Sequence, residues 1–575
     1  MAGCKKPKLE NNGFIFLILA FIKKKMTKQQ TLIYLLVIQV IYLVGAVLIA
    51  LMDNDATQYA TIAMQMFESG SYLEVAYRDI DYLDKPPLLF WLSSLSFSIF
   101  GISHFAYRLP SIIVNLLGIY ATFKLAESLY GRQAGLLAAL VFASTFGIVL
   151  FNHDVRTDTM LTAFVIFSIW QIMAYIQQGR ISHLIMGFVG IGLAMLVKGP
   201  IGLMAPVLAI GCQVLYQKQW RFIFHWPWVP GLVIVLLILS PMLIGLYNQH
   251  GYTGLEFYFW TQSFGRLTGE NVWVDTTGPM FFVHSFLWSF LPWSLLALVA
   301  YVKKWVLVFK DFKSARKQEV LTLGGITLVF IAMSLSQYKL PHYVFVVYPL
   351  IAILTASFLS DFLENAASFK FFRVISITQH VVNILLWVAI IFISTYVFPL
   401  RSIPIWIALV SVLVLSILSM IKKSVGFSQL FKSTLLTAIG LAIMLNMHFY
   451  PTLSRYQAGV TAGEFIKEKD YPAEKLLAYI AFRSSLDFYS GRIIPETKDS
   501  EVMMQAVETH DTLIMFTNEQ GLIDLQERQI NYMEIQRFKD FHISTLTLPF
   551  LNPATREDAT DVAYLLMITN NSAVQ

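Results

Sequence analysis

Carboxylates and cations gather in five short stretches of this chain. The first, Met52–Gly101, carries Asp53, Asp55, Arg78, Asp79, Asp81, Asp84 and Lys85. The second reads Asn152-His153-Asp154-Val155-Arg156-Thr157-Asp158. Lys198 stands in a third, Glu256, Arg266 and Glu270 in a fourth, and Tyr338-Lys339-Leu340-Pro341-His342-Tyr343 forms the fifth. Carboxylates of this kind can orient or deprotonate a hydroxyl, and cations can neutralise an anionic group that gains charge during a reaction. The chain as a whole is 56% hydrophobic and only 14% charged. Ionisable residues beside apolar spans are costly, and their placement points to a use.

Positioning such groups falls to the apolar segments. The mean hydropathy of +0.62, with 45 Phe and 12 Trp, lies outside the range of soluble globular proteins. Apolar runs of about twenty residues recur along most of the chain and predict a polytopic α-helical membrane protein. The first span is Leu32–Leu51, with Lys23, Lys24, Lys25 and Lys28 before it. The positive-inside rule puts its start in the cytoplasm and Asp53 on the far side. Asp55 then opens an amphipathic helix, with Gln58, Thr61, Gln65 and Glu68 on its polar face, expected to lie along the membrane surface. Pro87–Phe100 is apolar but reaches only about 21 Å as a helix, short of a ~30 Å core. It is expected to be a second interfacial helix rather than a span. With that choice about thirteen spans follow, and most Lys and Arg residues sort to the cytoplasmic side.

The net charge of +6 carries no nucleic-acid signal, because the basic residues sit in short loops between spans. Cys4 and Cys212 are the only cysteines, which excludes a disulfide framework; Cys212 reads as a small buried side chain. Residues 1–30 read as a cytoplasmic extension, with Met26 an alternative start; residues 31–450 read as the membrane domain. From 451 the composition becomes polar. Runs at Lys475–Ala481, Thr512–Thr517 and Ala563–Thr569 predict strands, and Ala462–Lys469 and Ser500–Glu508 predict helices. Residues 451–575 are therefore expected to form a small soluble α/β domain, placed outside the membrane by the odd span count. No internal repeat is evident.

Taken in order, several motifs resemble the GT-C integral-membrane glycosyltransferases. They are most similar to the branch of protein O-mannosyltransferases and the lipid A aminoarabinose transferase. The matching pieces are Asp55 with Tyr59, Tyr82-Leu83-Asp84-Lys85-Pro86-Pro87-Leu88, Arg108-Leu109-Pro110-Ser111 and His153 with Thr157-Asp158-Thr159-Met160. Lys198-Gly199-Pro200, Phe259 with Arg266, Lys339-Leu340-Pro341-His342-Tyr343 and Ser484–Gly491 complete the set, which spans nearly all of Thr31–Gly491. The resemblance implies inverting transfer of a sugar from a polyprenyl-phosphate-linked donor. The acceptor would be a hydroxyl or phosphate of lipid A, another envelope glycolipid or a protein, at the outer face of a bacterial inner membrane.

The residue chemistry fits that implication. Asp55 is the expected acceptor-activating carboxylate, with a helix N-cap as its plainer role. Asp158, which opens a span on the same face, is the second. A lipid-phosphate leaving group requires cations: Lys85, stiffened by Pro86-Pro87, leads, followed by Arg266, Lys339 and Lys198. Tyr343 and Tyr59 complete the substrate-binding set; for Lys198 the plainer role is snorkelling to headgroups, and for Tyr343 an interfacial belt aromatic. A divalent metal is a further expectation, with Asp84, His153 and His342 as candidate ligands. The aminoarabinose-transferase pattern, however, has a Glu-His pair before the loop arginine, where this chain has Gln262-Ser263. Phe257–Phe264 and Phe281–Trp293 are candidate walls of a lipid cavity. A transporter or flippase of lipid-linked sugars is the alternative, and a membrane scaffold a third. Span interiors almost free of ionisable residues favour transfer over ion-coupled transport.

Overall fold

A computed structural model describes residues 26–53, 55–262, 265, 277–311, 318–365, 372–421 and 427–569. Residues 1–25, with the expected N-terminal extension, lie outside this set. Among the described residues nine helices are long and apolar enough to cross a membrane. The remaining expected spans are shorter or interrupted helices, so the polytopic helical architecture is as read, with an approximate count.

The helices that build the site can be followed in order. Helix α1 (Lys28–Leu48) ends where α2 (Asp55–Ser69) and α3 (Leu88–Phe100) begin a long excursion. Helix α4 (His104–Tyr130) then returns through the bundle. The imidazole of His104, at the start of α4, lies 2.9 Å from the carbonyl of Val47 near the end of α1. Both termini therefore sit at one end of the bundle, and α2 and α3 make no net crossing, as the length of Pro87–Phe100 requires. Arg108 fixes this junction. Its fully buried guanidinium donates to the carbonyls of Ala46, Ile49, Ala50 and His153. The last carbonyls of a helix have no intrahelical partner, and a five-donor fork is suited to satisfy several at once.

Helices α5 (Arg132–Ala143) and α6 (Phe146–Phe151) form one interrupted crossing, and α7 (Thr157–Gln178) follows. Helix α8 (Ile181–Lys198) packs tightly on α7, because a Cβ at Gly187 would stand 2.5 Å from Ile172 and one at Gly190 2.9 Å from Phe167. Small residues replace the hydrophobic driving force that lipid does not supply. Helices α9 (Ile201–Tyr216), α10 (Trp228–Glu256), α11 (Phe281–Ser289), α12 (Ser294–Asp311) and α13 (Leu321–Ser334) continue the bundle. Pro341–Val347 leads into α14 (Tyr348–Asn365), and α15 (Phe372–Phe392), α16 (Ile403–Ile421) and α17 (Phe427–Met444) complete it.

The hairpin β1 (Ala76–Tyr77) and β2 (Ile80–Asp81) projects from the excursion. The C-terminal region is a five-stranded sheet ordered β4-β3-β5-β7-β6: β3 (Leu476–Tyr479), β4 (Glu496–Thr497), β5 (Thr512–Asn518), β6 (Tyr532–Asp540) and β7 (Asp561–Thr569). Strands β4, β3 and β5 run parallel; β7 is antiparallel to both β5 and β6. Helices α18 (Ala458–Lys469) and α19 (Ser484–Ser490) bury Ala462, Ile466 and Leu486 against one face. Helices α20 (Ser500–Thr509) and α21 (Glu519–Glu527) bury Met503 and Leu525 against the other. Strand β6 escapes a period-two reading because a register shift between Glu534 and Gln536 breaks its alternation. Its exposed Glu534, Arg537 and Lys539 are the charges expected on an edge strand.

One expectation for α2 is corrected. On its presumed polar face Thr61 is fully buried and Gln58 and Gln65 are half-buried, while Glu68 is exposed. The sheet domain meets the helix at Thr57, which is fully buried, with the hydroxyls of Thr57 and Ser484 2.7 Å apart. Asp53 belongs to this contact, accepting from the Ser485 amide at 3.1 Å and the Ser484 hydroxyl at 3.2 Å. Cys212 is half-buried against Gly324.

Candidate active site

The first charged pair couples two distant loops. Asp55, the first residue of α2, lies 2.7 Å from Nη1 of Arg156 at the start of α7. Arg156 also holds Asp154, Nε to Oδ2 at 3.1 Å. Burial pushes the Asp154 carboxyl up, while the Arg156 charge draws it back. Burial alone would lower the Arg156 pKa, but the Asp154 and Asp55 charges outweigh it and the net direction is upward. Arg156 is therefore a permanent cation that anchors Asp55, whose side chain keeps 37% exposure. Sequence reading placed Arg156 in the right loop without giving it a role, since its neighbour Asp154 is an obvious local partner.

The second pair is buried. Lys198, in the last turn of α8, donates to Oδ1 of Asp158 in the first turn of α7 at 2.5 Å. Nε2 of His342 is 3.5 Å from the other carboxylate oxygen. Lys198 Nζ also stands 4.3 Å from the Tyr343 ring centroid, a cation–π arrangement. Asp158 thus positions Lys198 rather than facing open space. Lys85 forms the third pair, Nζ to Asp84 Oδ2 at 2.5 Å, and the Gln262 amide donates to the Asp84 carbonyl. Tyr59 and Tyr82 lie between these groups. Burial raises both phenols, and the Asp55 and Asp84 charges raise them further.

Lys85, Lys198, Tyr343 and Gln262 meet at one cavity of about 390 Å³. Its other walls are apolar, including Leu161, Met204, Val207 and Met333. An apolar trough whose lining includes two ammonium groups and a phenol accommodates an amphiphile with an anionic head.

Other expected members lie elsewhere. Lys339 is buried and donates to the Thr277 carbonyl at 3.0 Å, outside the cavity lining. Arg266 and Glu270 lie outside the described residues, as do Ser263 and Phe264. The candidate metal ligands do not fit together. His153 is fully buried, its ring edge-on to Tyr42 at 6.2 Å and its ring carbons filling the space where a Gly45 Cβ would stand. His342 faces Asp158, and Asp84 faces Lys85. Among the described residues no three His, Cys, Asp or Glu side chains converge on a metal site. The aromatic stretch Phe281–Trp293 is core rather than cavity wall: Phe282, Phe290 and Trp293 are fully buried and none lines the cavity.

Comparison with known proteins follows the same lines. Residues 84–244 match the family model for dolichyl-phosphate-mannose-protein mannosyltransferase. Undecaprenyl phosphate-alpha-4-amino-4-deoxy-L-arabinose arabinosyl transferase 2 of Proteus mirabilis is 28% identical over 306 residues, 51% of this chain and 52% of that protein. The arabinosyl transferase of the same description from Pseudomonas aeruginosa is 26% identical over 327 residues, 56% of this chain and 58% of that protein. The chain spans about half the length of the curated relatives it matches. The crystal structure of ArnT from Cupriavidus metallidurans bound to undecaprenyl phosphate superposes with a TM-score of 0.72 at 17% identity, covering 93% of this chain and 97% of that one. The protein is a multi-pass membrane protein with the GT-C glycosyltransferase fold, and the resemblance carried by its motifs is borne out.

Proposed function

We propose that this protein transfers a sugar from a polyprenyl-phosphate donor to an envelope glycolipid at the outer face of a bacterial inner membrane, with inversion. On this reading residues 31–450 form the transferase body, and 451–575 form a domain resting on its outer face. The observation that carries the reading is the 390 Å³ apolar cavity lined by Lys85, Lys198 and Tyr343.

The chemistry follows from the pairs. The prenyl chain of the donor lies in the apolar trough and its phosphate meets Lys85 and Lys198. As the glycosidic bond breaks, negative charge grows on the departing phosphate and these ammonium groups stabilise it. Asp158 and His342 hold Lys198 in place, and Tyr343 supports it from the ring side. Asp55, held in place by Arg156, accepts the proton of the acceptor hydroxyl as the anomeric carbon gains positive character. Lys339 ties its loop to the distant Thr277 carbonyl instead.

The aminopentose in the relatives' names is the sugar to test first. The flippase alternative is not favoured, because the charged groups cluster at the helix termini around the cavity. Mass spectrometry of lipid A and surface glycans from cells with and without this gene tests the proposal. A sugar-sized mass present only with the gene is expected; identical glycan spectra would count against it.

A further inference from the structure

The connector between β6 and β7 packs on the membrane body rather than on its own sheet. Ile543 and Phe550, inside it, are buried in the apolar core that the membrane helices share, and neither belongs to the two cores of the sheet. Phe550 stacks on Phe541 with ring centroids 3.7 Å apart. It also meets Phe398, the residue after the Arg373–Val397 span, at 6.2 Å. Arg556 fastens the other side of the connector. Its Nη2 donates to the Val397 carbonyl at 2.6 Å, and its guanidinium carbon stands 4.0 Å from the Phe398 ring centroid. The last carbonyls of a helix lack intrahelical partners, so this bond ties the sheet domain to the end of the span.

That span leaves much of its surface outside the protein. Val381, Leu385, Val388, Phe392 and Tyr396 recur at three- and four-residue intervals, and each is about half exposed or more. An apolar stripe of this length on a membrane span faces lipid. Tyr396 ends the stripe, as an aromatic with a polar tip does at the edge of a bilayer, and its hydroxyl donates to Asn552 Oδ1 at 3.2 Å. Asn552 follows the single turn Leu548–Leu551, and its amide donates to the Leu548 carbonyl at 3.0 Å. Leu548 therefore lies one turn from the residue that holds the end of the stripe, and it is 82% exposed. Leu546 and Pro549 are exposed beside it.

A loop tip in water is ordinarily built from Gly, Pro, Asn, Asp and Ser, whereas this one reads Leu546-Thr547-Leu548-Pro549. We propose that this tip is a membrane anchor: it dips into the headgroup region of the leaflet beside the sheet domain and continues the lipid face of α15 around the rim of the protein. The partner is the bilayer surface rather than another protein, because Asn552 and Tyr396 make the tip continuous with a stripe that lipid covers. The sheet domain is then held to the membrane body at Asp53 and Arg556, and to the lipid at Leu548. This inference does not depend on the transferase reading.

The test is EPR power saturation of a nitroxide on Leu548→Cys, in the full-length protein carrying Cys4→Ser and Cys212→Ala, reconstituted in nanodiscs. The exposure of Leu548 makes the substitution safe for folding. Leu385→Cys, in the middle of the stripe, gives the value for lipid. Val502→Cys, exposed on α20 where that helix packs only on the sheet core, gives the value for water. The ratio of oxygen to nickel-chelate collisions at 548 is expected at least about threefold above that at 502 and at or below that at 385, as for a site about 5–10 Å inside the boundary. A ratio equal to that at 502 would place the tip in water and overturn the anchor. Low collision rates with both reagents would mean that protein covers the tip, a second copy of this chain included, and would overturn it as well.

Discussion

Two lysine–carboxylate pairs are buried in the membrane body, and they do different work. At one end Lys198 meets Asp158 at 2.5 Å; at the other Lys304 meets Glu319 at 3.2 Å. Each adjoins a cavity of similar size, about 390 Å³ and 410 Å³. Burial and charge therefore do not tell them apart. Their remaining contacts do. Glu319 caps α13 through the Thr322 amide at 3.0 Å and hydroxyl at 2.8 Å, and also accepts from Tyr130. Lys304 reaches Gln318, while Gln213 receives the neighbouring amides of Val320 and Leu321. That pair is committed to ending a helix, and its cavity is walled by glutamines. The Asp158 pair instead presents Lys198 to an apolar trough alongside Lys85 and Tyr343. A buried charge becomes a site when its neighbours leave a ligand-shaped space of the right polarity beside it.

The largest effect expected is from Asp55→Asn, which removes the proton acceptor and leaves the fold intact. Transfer in proteoliposomes should fall by about 10²–10⁴-fold with unchanged expression and melting temperature. Lys198→Met should lower turnover by about 10²–10³-fold, through loss of charge stabilisation at the phosphate. Lys304→Met reverses the pattern: stability should drop by about 3–5 kcal/mol, seen in thermal unfolding, while the protein that remains folded keeps turnover within a few-fold. Equal activity losses for Lys198 and Lys304 variants would erase the distinction between the two ends.

The smallest effect concerns the contact between hairpin and sheet domain. Arg78 Nη1 is 3.1 Å from Asp487 Oδ2. Burial pushes the Asp487 carboxyl up to about 7, against the opposing pull of Arg78. A carboxyl raised in the folded state binds its proton more tightly there than when unfolded. Stability from this group is therefore greatest below the unfolded carboxyl range and declines as pH rises toward 7, by at most about 1.4 kcal/mol per pH unit. Thermal melts from pH 4 to pH 8 should show that decline, and Asp487→Asn should flatten it.

Much of this arrangement was legible in the sequence. Length and composition were enough to make Pro87–Phe100 a surface helix, and His104 beside Val47 agrees. Three strands of the C-terminal sheet stood out because they are continuous apolar runs. Strand β6 did not, since its bulge and edge charges mask it. The site was half legible. Lys85, Asp55, Asp158 and Lys198 were identifiable by type and position, but their partners were not. Arg156 reaches Asp55 only because the starts of α2 and α7 converge, a fact of packing with no local signal. Lys339 shows the reverse: a promising cation in a motif whose ammonium the fold directs to the Thr277 carbonyl. Helix α2 read as lying on the membrane surface, yet Thr57 and Thr61 are buried, because a protein-covered threonine and a water-covered one look alike in sequence.

The central claim is that Asp55 and the two trough lysines carry sugar transfer from a lipid phosphate. The most direct measurement is single-turnover transfer from undecaprenyl-phosphate aminoarabinose to lipid A in proteoliposomes, read by acceptor mass, for wild type beside Asp55→Asn and Lys85→Met. Wild type should add one sugar mass while both variants add almost none over the same time. Wild-type turnover in Asp55→Asn, or no added mass in any sample, would contradict it.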